Sequence, residues 1–148
     1  MVDGNVLLHA VESISPLPDT ATVGQRIRYW REKRCMTQKH LCELTGLNRY
    51  SIIHYENDTV DIELDDLKKI ASALKIKADK LFDDYYRFLD YPYPVKVREI
   101  RQQLKLSQRE FGAMLGVQKR AVGCWERGVT RVQRKVWEVL STFGVGAI

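Results

Sequence analysis

Amide and cationic side chains recur in the same order in two segments of the chain that lie seventy residues apart. Guanidinium and amide groups donate hydrogen bonds, so they suit the binding of anions and of polar ligand edges. Because packing constrains residue class and spacing more than identity, the pattern indicates a duplicated structural unit. The matching positions, which align without a gap, are Arg28 and Arg98, Arg31 and Arg101, Gln38 and Gln108, Gly46 and Gly116, and Glu56 and Glu126.

Residues that could carry out catalysis are not grouped in the sequence. It contains no recognisable nucleophile–base–acid arrangement, phosphate-binding glycine loop or pair of catalytic carboxylates. The acids between Asp58 and Asp66 lack the glycine that a calcium loop needs. Cys35, His40 and Cys42 match no familiar zinc spacing, and residues two apart on a helix face different ways. We therefore expect no enzyme, no metal site and no cofactor.

Helix signals surround the polar positions of the first segment. A basic helix runs from Gly24 to Arg34, Thr37 caps a second helix that stops at Gly46, and Asn48 caps a third. After an acidic entry a fourth helix follows, and residues from Ala78 to about Phe88 predict a fifth. The side chains expected to face the core are Ile27, Trp30, Leu41, Leu44, Ile52, Tyr55, Leu67, Ile70, Ala71 and Leu74.

The second segment carries the same signals in the same register. The expected helices cover residues 95–105, 107–116, 118–127 and 132–143, and Ser107 with Glu110 forms a capping box. The alternating pattern of a strand is absent from the sequence. We therefore predict an all-α fold of two tandem small helical bundles, each containing a helix-turn-helix. The apolar positions of the last helix are Val136, Val139, Leu140 and Phe143.

The repeat divides the chain into a tail, two domains and a linker. We expect residues 1–22 to form a flexible tail, residues 23–88 and 95–148 to form the two domains, and residues 89–94 to link them. The segment around the linker is aromatic, unlike a flexible Gly/Ser tether. Its rings either join the domains, form a homodimer contact, or complete the core of the first domain. They are Tyr85, Tyr86, Phe88, Tyr91 and Tyr93.

Charge is unevenly distributed along the chain. Residues 24–88 hold 13 basic and 11 acidic side chains, whereas residues 94–144 hold 11 basic and 4 acidic ones. A polyanion is the natural partner of the second half, and a well-solvated surface is the plainer interpretation. Three cysteines without a CxxC pair favour a cytoplasmic location. No apolar run approaches the ~20 residues that span a bilayer, and Val6-Leu7-Leu8 is too short for a secretory signal.

Both helix-turn-helix segments resemble the phage-repressor type of DNA-binding domain, the Cro and Xre family. They read TQKHLCELTGLNRYSIIHYEN from Thr37 and SQREFGAMLGVQKRAVGCWERG from Ser107. In each, Ser or Thr with Gln opens helix two, glycine marks the turn, and an aromatic residue with Glu closes helix three. The resemblance covers most of residues 24–82 and 95–143. It implies a regulator that binds double-stranded DNA.

The resemblance also implies roles for the matching positions. Gln38 and Gln108, beside Lys39 and Arg109, would donate to DNA phosphates, because the N-terminus of a helix favours an anion. The exposed start of helix three would meet base edges, since Arg and Lys pair with guanine and Asn and Gln with adenine. These positions are Asn48, Arg49, Tyr50 and His54 in the first domain and Gln118, Lys119, Arg120 and Cys124 in the second. The residues expected to meet phosphates after helix three are Arg127, Arg131 and Arg134.

In the family, the residues at the positions of Arg31 and Glu56, and of Arg101 and Glu126, form structural ion pairs between helix one and the end of helix three. The domains then diverge, because the first presents acidic side chains after helix three where phosphate would be repelled. We therefore expect the second domain to be the main DNA reader. The alternative is an antitoxin-like or assembly protein whose first domain or aromatic linker binds a protein, with DNA contact secondary. Gly123, inside helix three of the second domain, either permits close approach of DNA or is simply tolerated.

Overall fold

The computed structural model describes residues 14–145, so most of the expected N-terminal tail lies outside the described residues. The chain divides into two compact units, one ending at Asp83 and one beginning at Asp84. All regular secondary structure within residues 14–145 is helical, which confirms the predicted all-α fold. None of the helices in this range is long and apolar enough to cross a bilayer.

Side-chain caps set the start of the main helices in the first unit. Thr22 accepts a hydrogen bond from the backbone N–H of Gln25 in a capping box. Thr37 caps the second helix, and Asn48 accepts from the N–H of Ser51 at 2.7 Å at the start of the third, as predicted. The elements are α1 (Val23–Lys33), α2 (Gln38–Thr45), α3 (Arg49–Glu56), α4 (Leu64–Ala73) and a 3₁₀ turn (Ala78–Lys80).

The core of the first unit is formed by one apolar stripe from each helix. Leu44 was expected to belong to it but is 50% exposed. The inward stripe of α2 runs through Leu41 and Thr45, four residues apart, and the hydroxyl of Thr45 donates to the carbonyl of Leu41 at 2.8 Å. The side chains without solvent exposure are Ile27, Leu41, Ile52, Leu67, Ile70, Leu74 and Leu81.

The second unit has one helix more than its sequence pattern predicted. The expected fifth helix of the first domain is divided, because the 3₁₀ turn ends at Lys80 and a separate helix begins at Asp84 in the second unit. Only Tyr91 and Pro92 separate that helix from the next. The elements are α5 (Asp84–Asp90), α6 (Tyr93–Gln103), α7 (Gln108–Leu115), α8 (Lys119–Glu126), α9 (Arg134–Leu140) and a π turn (Ser141–Val145).

Most of the aromatic segment completes the second unit rather than the first, whereas Tyr91 is exposed. Tyr85 is fully buried, and its hydroxyl donates to the carbonyl of Val132 at 2.7 Å. Its ring lies 5.7 Å from that of Trp137, and the guanidinium of Arg134 lies 4.5 Å above it. On α9, Val136 and Leu140 are buried, whereas Val139 and the following Phe143 are largely exposed.

The seventy-residue repeat extends to unusual backbone conformations. Gly46 and Gly116 adopt φ values of 75° and 72° at the ends of α2 and α7, where the left-handed conformation favours glycine. Two further pairs of matching positions, Cys35 with Lys105 and Asp58 with Gly128, also have positive φ. The two helix-turn-helix elements therefore share their turns as well as their helices.

Candidate nucleic-acid interface

In the first unit an arginine, a glutamine and a glutamate tie three helices together. Arg31 of α1 donates from Nε and Nη2 to the two carboxylate oxygens of Glu56, at 2.5 and 3.0 Å. Its Nη1 donates to the carbonyl of Met36 at 2.8 Å, in the connection to α2. Gln38, the first residue of α2, donates from Nε2 to Glu56 at 2.9 Å. This network fixes the start of α2 relative to the end of α3.

The second unit repeats this network atom for atom. Arg101 donates to the two oxygens of Glu126 at 2.6 and 3.2 Å and to the carbonyl of Leu106 at 3.0 Å. Gln108 donates to Glu126 at 3.0 Å. Arg98 adds a longer ion pair to the same carboxylate at 3.6 Å. The ion pairs implied by the resemblance are therefore present in both units.

Electrostatics keep Glu126 ionised although its side chain is only 2% exposed. Burial by itself would raise the pKa of this carboxyl. Hydrogen bonds from Arg101 and Gln108, together with the charges of Arg101 and Arg98, outweigh that effect and hold the pKa below its ordinary value. The hydrogen bond to Glu126 correspondingly raises the pKa of Arg101.

The network also orients the two glutamines expected to meet phosphate. A side-chain amide nitrogen has two hydrogens, and in Gln38 and Gln108 one of them is directed to the glutamate. The other remains to be donated at the N-terminus of α2 or α7, where the helix dipole favours a negative charge. The glutamate thereby fixes the position of a donor near the surface, which the sequence spacing alone did not reveal.

Five of the predicted DNA-binding residues of the second unit lie around one concave surface. This surface, which we call the hollow, contains three cationic side chains and two amides, and no acidic side chain lines it. Gln118, Lys119 and Arg120 are exposed at the start of α8. The lining residues are Gln108, Gln118, Lys119, Arg120, Gly123 and Arg127.

Other predicted residues of the second unit lie outside the hollow. Arg109 is exposed on α7, and Arg131 is half-buried in the segment between α8 and α9. The guanidinium of Arg134 covers the rings of Tyr85 and Tyr86, so it stabilises the aromatic part of the core. Cys124 is half-buried, with its sulfur 3.8 Å from Nη2 of Arg127.

In the first unit Asn48, Arg49 and Tyr50 are exposed, His54 is half-buried, and the four are organised differently from their counterparts in the second unit. The ring of Tyr50 lies 3.9 Å from that of His54, and a ring nitrogen of His54 lies 2.5 Å from the hydroxyl of Thr59. Asn48 uses its side-chain oxygen as the cap of α3. Arg49 and Lys39 are exposed. These side chains offer one cation at the start of α3, where the second unit offers two at the start of α8.

Asp58, which the sequence indicated only as a source of repulsion for phosphate, has a structural role. Its carboxylate accepts from the N–H of Gly24 at 2.9 Å and from the hydroxyl of Thr22 at 2.5 Å. A Cβ atom at Gly24 would lie 2.4 Å from the carbonyl oxygen of Tyr55, so the start of α1 approaches the end of α3 closely. In the second unit the matching positions are Pro94, which has no N–H, and Gly128, which has no carboxylate.

Comparison with known families also gives two successive parts, although the first match extends past Asp83 into α5. A family model described as a helix-turn-helix domain matches residues 24–87, and a second one described as helix-turn-helix matches residues 97–143. The chain therefore belongs to the helix-turn-helix class of DNA-binding proteins, with two tandem domains of the phage-repressor type. No curated protein and no solved structure matches it. Metal ligands are not grouped within the described range, where no three His, Cys, Asp or Glu side chains come together.

Proposed function

We propose that the chain is a sequence-specific, double-stranded-DNA-binding transcriptional regulator, acting as a repressor in the cytoplasm. The observation that carries this proposal is the hollow of the second unit, where Lys119, Arg120 and Arg127 gather along the recognition helix α8, beside the amides of Gln118 and of Gln108 on α7. A cationic surface on the second helix of a helix-turn-helix suits the major groove of duplex DNA. The family matches support DNA binding as the general activity.

Affinity and specificity come from different residues in this proposal. Electrostatic attraction between the basic second unit and phosphates supplies affinity without sequence preference. Lys119 and Arg120 extend from the first turn of α8 and pair with guanine, and Gln118 pairs with adenine. Gln108 donates its remaining amide hydrogen to a phosphate and fixes the register of α8 along the duplex.

The second unit is the main reader. The end of α8 is followed by Arg127 and Arg131, whereas the end of α3 is followed by the exposed carboxylates of Asp58 and Asp61. Phosphate is attracted by the former and repelled by the latter. In this proposal the first unit makes weaker contacts with the DNA, through Arg49 and the neighbouring Asn48 and Tyr50.

Duplex binding measured against salt concentration tests the proposal. The protein should select a preferred duplex from a random pool, and its affinity should fall steeply as salt rises. The double variant Lys119→Ala, Arg120→Ala should lose the preference, whereas the matched variant Arg49→Ala, Tyr50→Ala should retain most of it. If the Lys119/Arg120 variant selects the same duplexes as the wild type, the assignment of α8 as the reader is wrong.

A second candidate function is an antitoxin-like or assembly protein whose first unit binds another protein. The exposed apolar side chains of this unit favour it, since Leu44 is 50% and Tyr50 is 71% exposed. In the aromatic segment, Tyr85, Tyr86 and Phe88 are buried and do not support it, whereas Tyr91 is 45% exposed. Duplex binding that is weak, insensitive to sequence and unaffected by the Lys119/Arg120 variant would favour this candidate.

A further inference from the structure

Gly123 lines the hollow directly beside the guanidinium of Arg127. A Cβ atom added to Gly123 would lie 3.1 Å from Nη1 of Arg127 and 3.8 Å from the amide oxygen of Gln108. Arg127 follows the last residue of α8, so its side chain folds back over the helix by about one turn to reach Gly123. A side chain at position 123 would therefore displace this guanidinium from its present place.

The side chains of the hollow suit a phosphate better than a base edge. Base edges lie at the bottom of the major groove and are reached by side chains that project from the protein. Phosphate groups project outwards from the duplex and can enter a depression in the protein surface. Three cations and the absence of a lining carboxylate make this depression attractive to a phosphate.

The first unit shows what the hollow depends on. The residues at the positions of Gly123 and Arg127 are Ile53 and Asn57 there. Isoleucine has a branched side chain where glycine has none, and asparagine is too short and uncharged to replace the guanidinium. The combination of Gly123 with Arg127 therefore distinguishes the second recognition helix from the first.

We propose that Gly123 positions Arg127, whose contact with phosphate the family resemblance already implies, so that the guanidinium binds one backbone phosphodiester of the duplex in the hollow. Lys119 and Arg120 at the rim raise the local positive potential while their ends reach the bases. Gly123 thus acts through Arg127, and not by allowing the DNA itself to approach α8. This inference rests on the proposed DNA-binding function.

Four variants of the full chain test it: Gly123→Ala, Arg127→Ala, the double variant, and Lys80→Ala as a control that removes an exposed charge from the first unit. Duplex affinity is measured against salt for the preferred sequence and for an unrelated one, and thermal stability is measured in parallel. Arg127→Ala should weaken binding to both duplexes by about fivefold at 0.15 M salt and reduce the salt slope by about one, the effect of losing one phosphate contact.

Gly123→Ala should raise the thermal midpoint, because alanine favours a helix more than glycine does and only the end of a flexible side chain stands in its way. It should nevertheless weaken binding, by less than Arg127→Ala does. In the double variant the alanine at 123 should cause no further loss. Lys80→Ala should bind like the wild type. Opposite changes in stability and affinity exclude a folding defect as the cause.

Three results would overturn the inference. Equal weakening by Gly123→Ala with and without Arg127 would mean that the glycine faces the DNA directly. A change of base preference in Arg127→Ala would make this arginine a base reader. An affinity and a salt slope in Arg127→Ala that match those of the wild type would mean that Arg127 contacts no phosphate. Failure of the wild type to bind any duplex would instead refute the proposed function.

Discussion

Replacing Glu126 by alanine should bring the second unit close to unfolding. The carboxylate accepts three hydrogen bonds from Arg101 and Gln108, and its loss leaves the guanidinium of Arg101 inside the unit with only the carbonyl of Leu106 as an acceptor. Breaking a buried ion pair costs about 3–5 kcal/mol. Because the side chain of Arg101 is 17% exposed, water compensates part of the loss, and we expect about 3 kcal/mol.

That cost is large for a unit of this size. Folded domains have about 0.05–0.15 kcal/mol of stability per residue, so the unit from Asp84 onwards has roughly 3–10 kcal/mol in total. A loss of about 3 kcal/mol lowers the thermal midpoint of so small a domain by about 12–24 °C. The free energy of unfolding in the variant is then close to zero at the lower end of this range.

Hydrogen exchange in the full chain measures the effect in each unit separately. In Glu126→Ala the backbone amides of α6 to α8 should exchange much faster, while those of α1 to α3 keep their protection. Glu32→Ala is the control. Glu32 pairs with Arg28 at 3.0 Å, but the two side chains are 41% and 63% exposed, so the pair contributes at most about 1 kcal/mol. Unchanged protection of α8 in Glu126→Ala would refute the argument that the buried pair holds the unit together.

Three further predictions concern stability. The pKa of Glu126 is lowered in the folded state, so its ionised carboxylate contributes fully to the free energy of unfolding above the ordinary pKa of 4.5, and this contribution is lost as the pH falls further. In Glu126→Gln the free energy of unfolding should therefore depend less steeply on pH in the acid range, as measured by circular dichroism. Gly116→Ala should cost about 1–2 kcal/mol in urea unfolding, because the left-handed φ of 72° strains alanine although the space around it is open; no loss would contradict this. Asp58→Ala removes the acceptor of Gly24 and should cost about 1–2 kcal/mol, detected as faster amide exchange at the start of α1.

Features set by neighbouring residues could be predicted from the sequence. Thr37, Asn48 and Ser107 begin the helices they were expected to cap, and Gly46 and Gly116 adopt the expected left-handed conformation. Helix caps and glycine turns depend on a few consecutive positions, so they can be predicted from the sequence before the fold is known. The seventy-residue register then placed the second set of elements once the first was identified.

Features that depend on distant contacts could not be predicted. The hydrogen bond from Tyr85 to Val132 spans 47 residues, so the aromatic segment could not be assigned to either unit beforehand. Asp58 accepts from a helix start 34 residues away, and its acidic character alone suggested only repulsion. The arrangement of Gly123 and Arg127 needs the path of a long side chain, which sequence spacing does not determine.

The two repeats join the start of their first helix to the end of their third helix differently, and this affects how segments can be exchanged between them. The first repeat uses Gly24 with Asp58, and the second has Pro94 with Gly128 at the matching positions. Proline at 94 has no N–H to donate, and a Cβ at Gly128 would already lie 3.4 Å from the proline ring. If only one residue of such a pair is exchanged, the hybrid has either an Asp carboxylate without the Gly N–H that donates to it, or a Gly N–H without the carboxylate that accepts from it. Hybrid repeats built by shuffling segments should therefore fold best when the crossover points keep each couple in the same parental fragment.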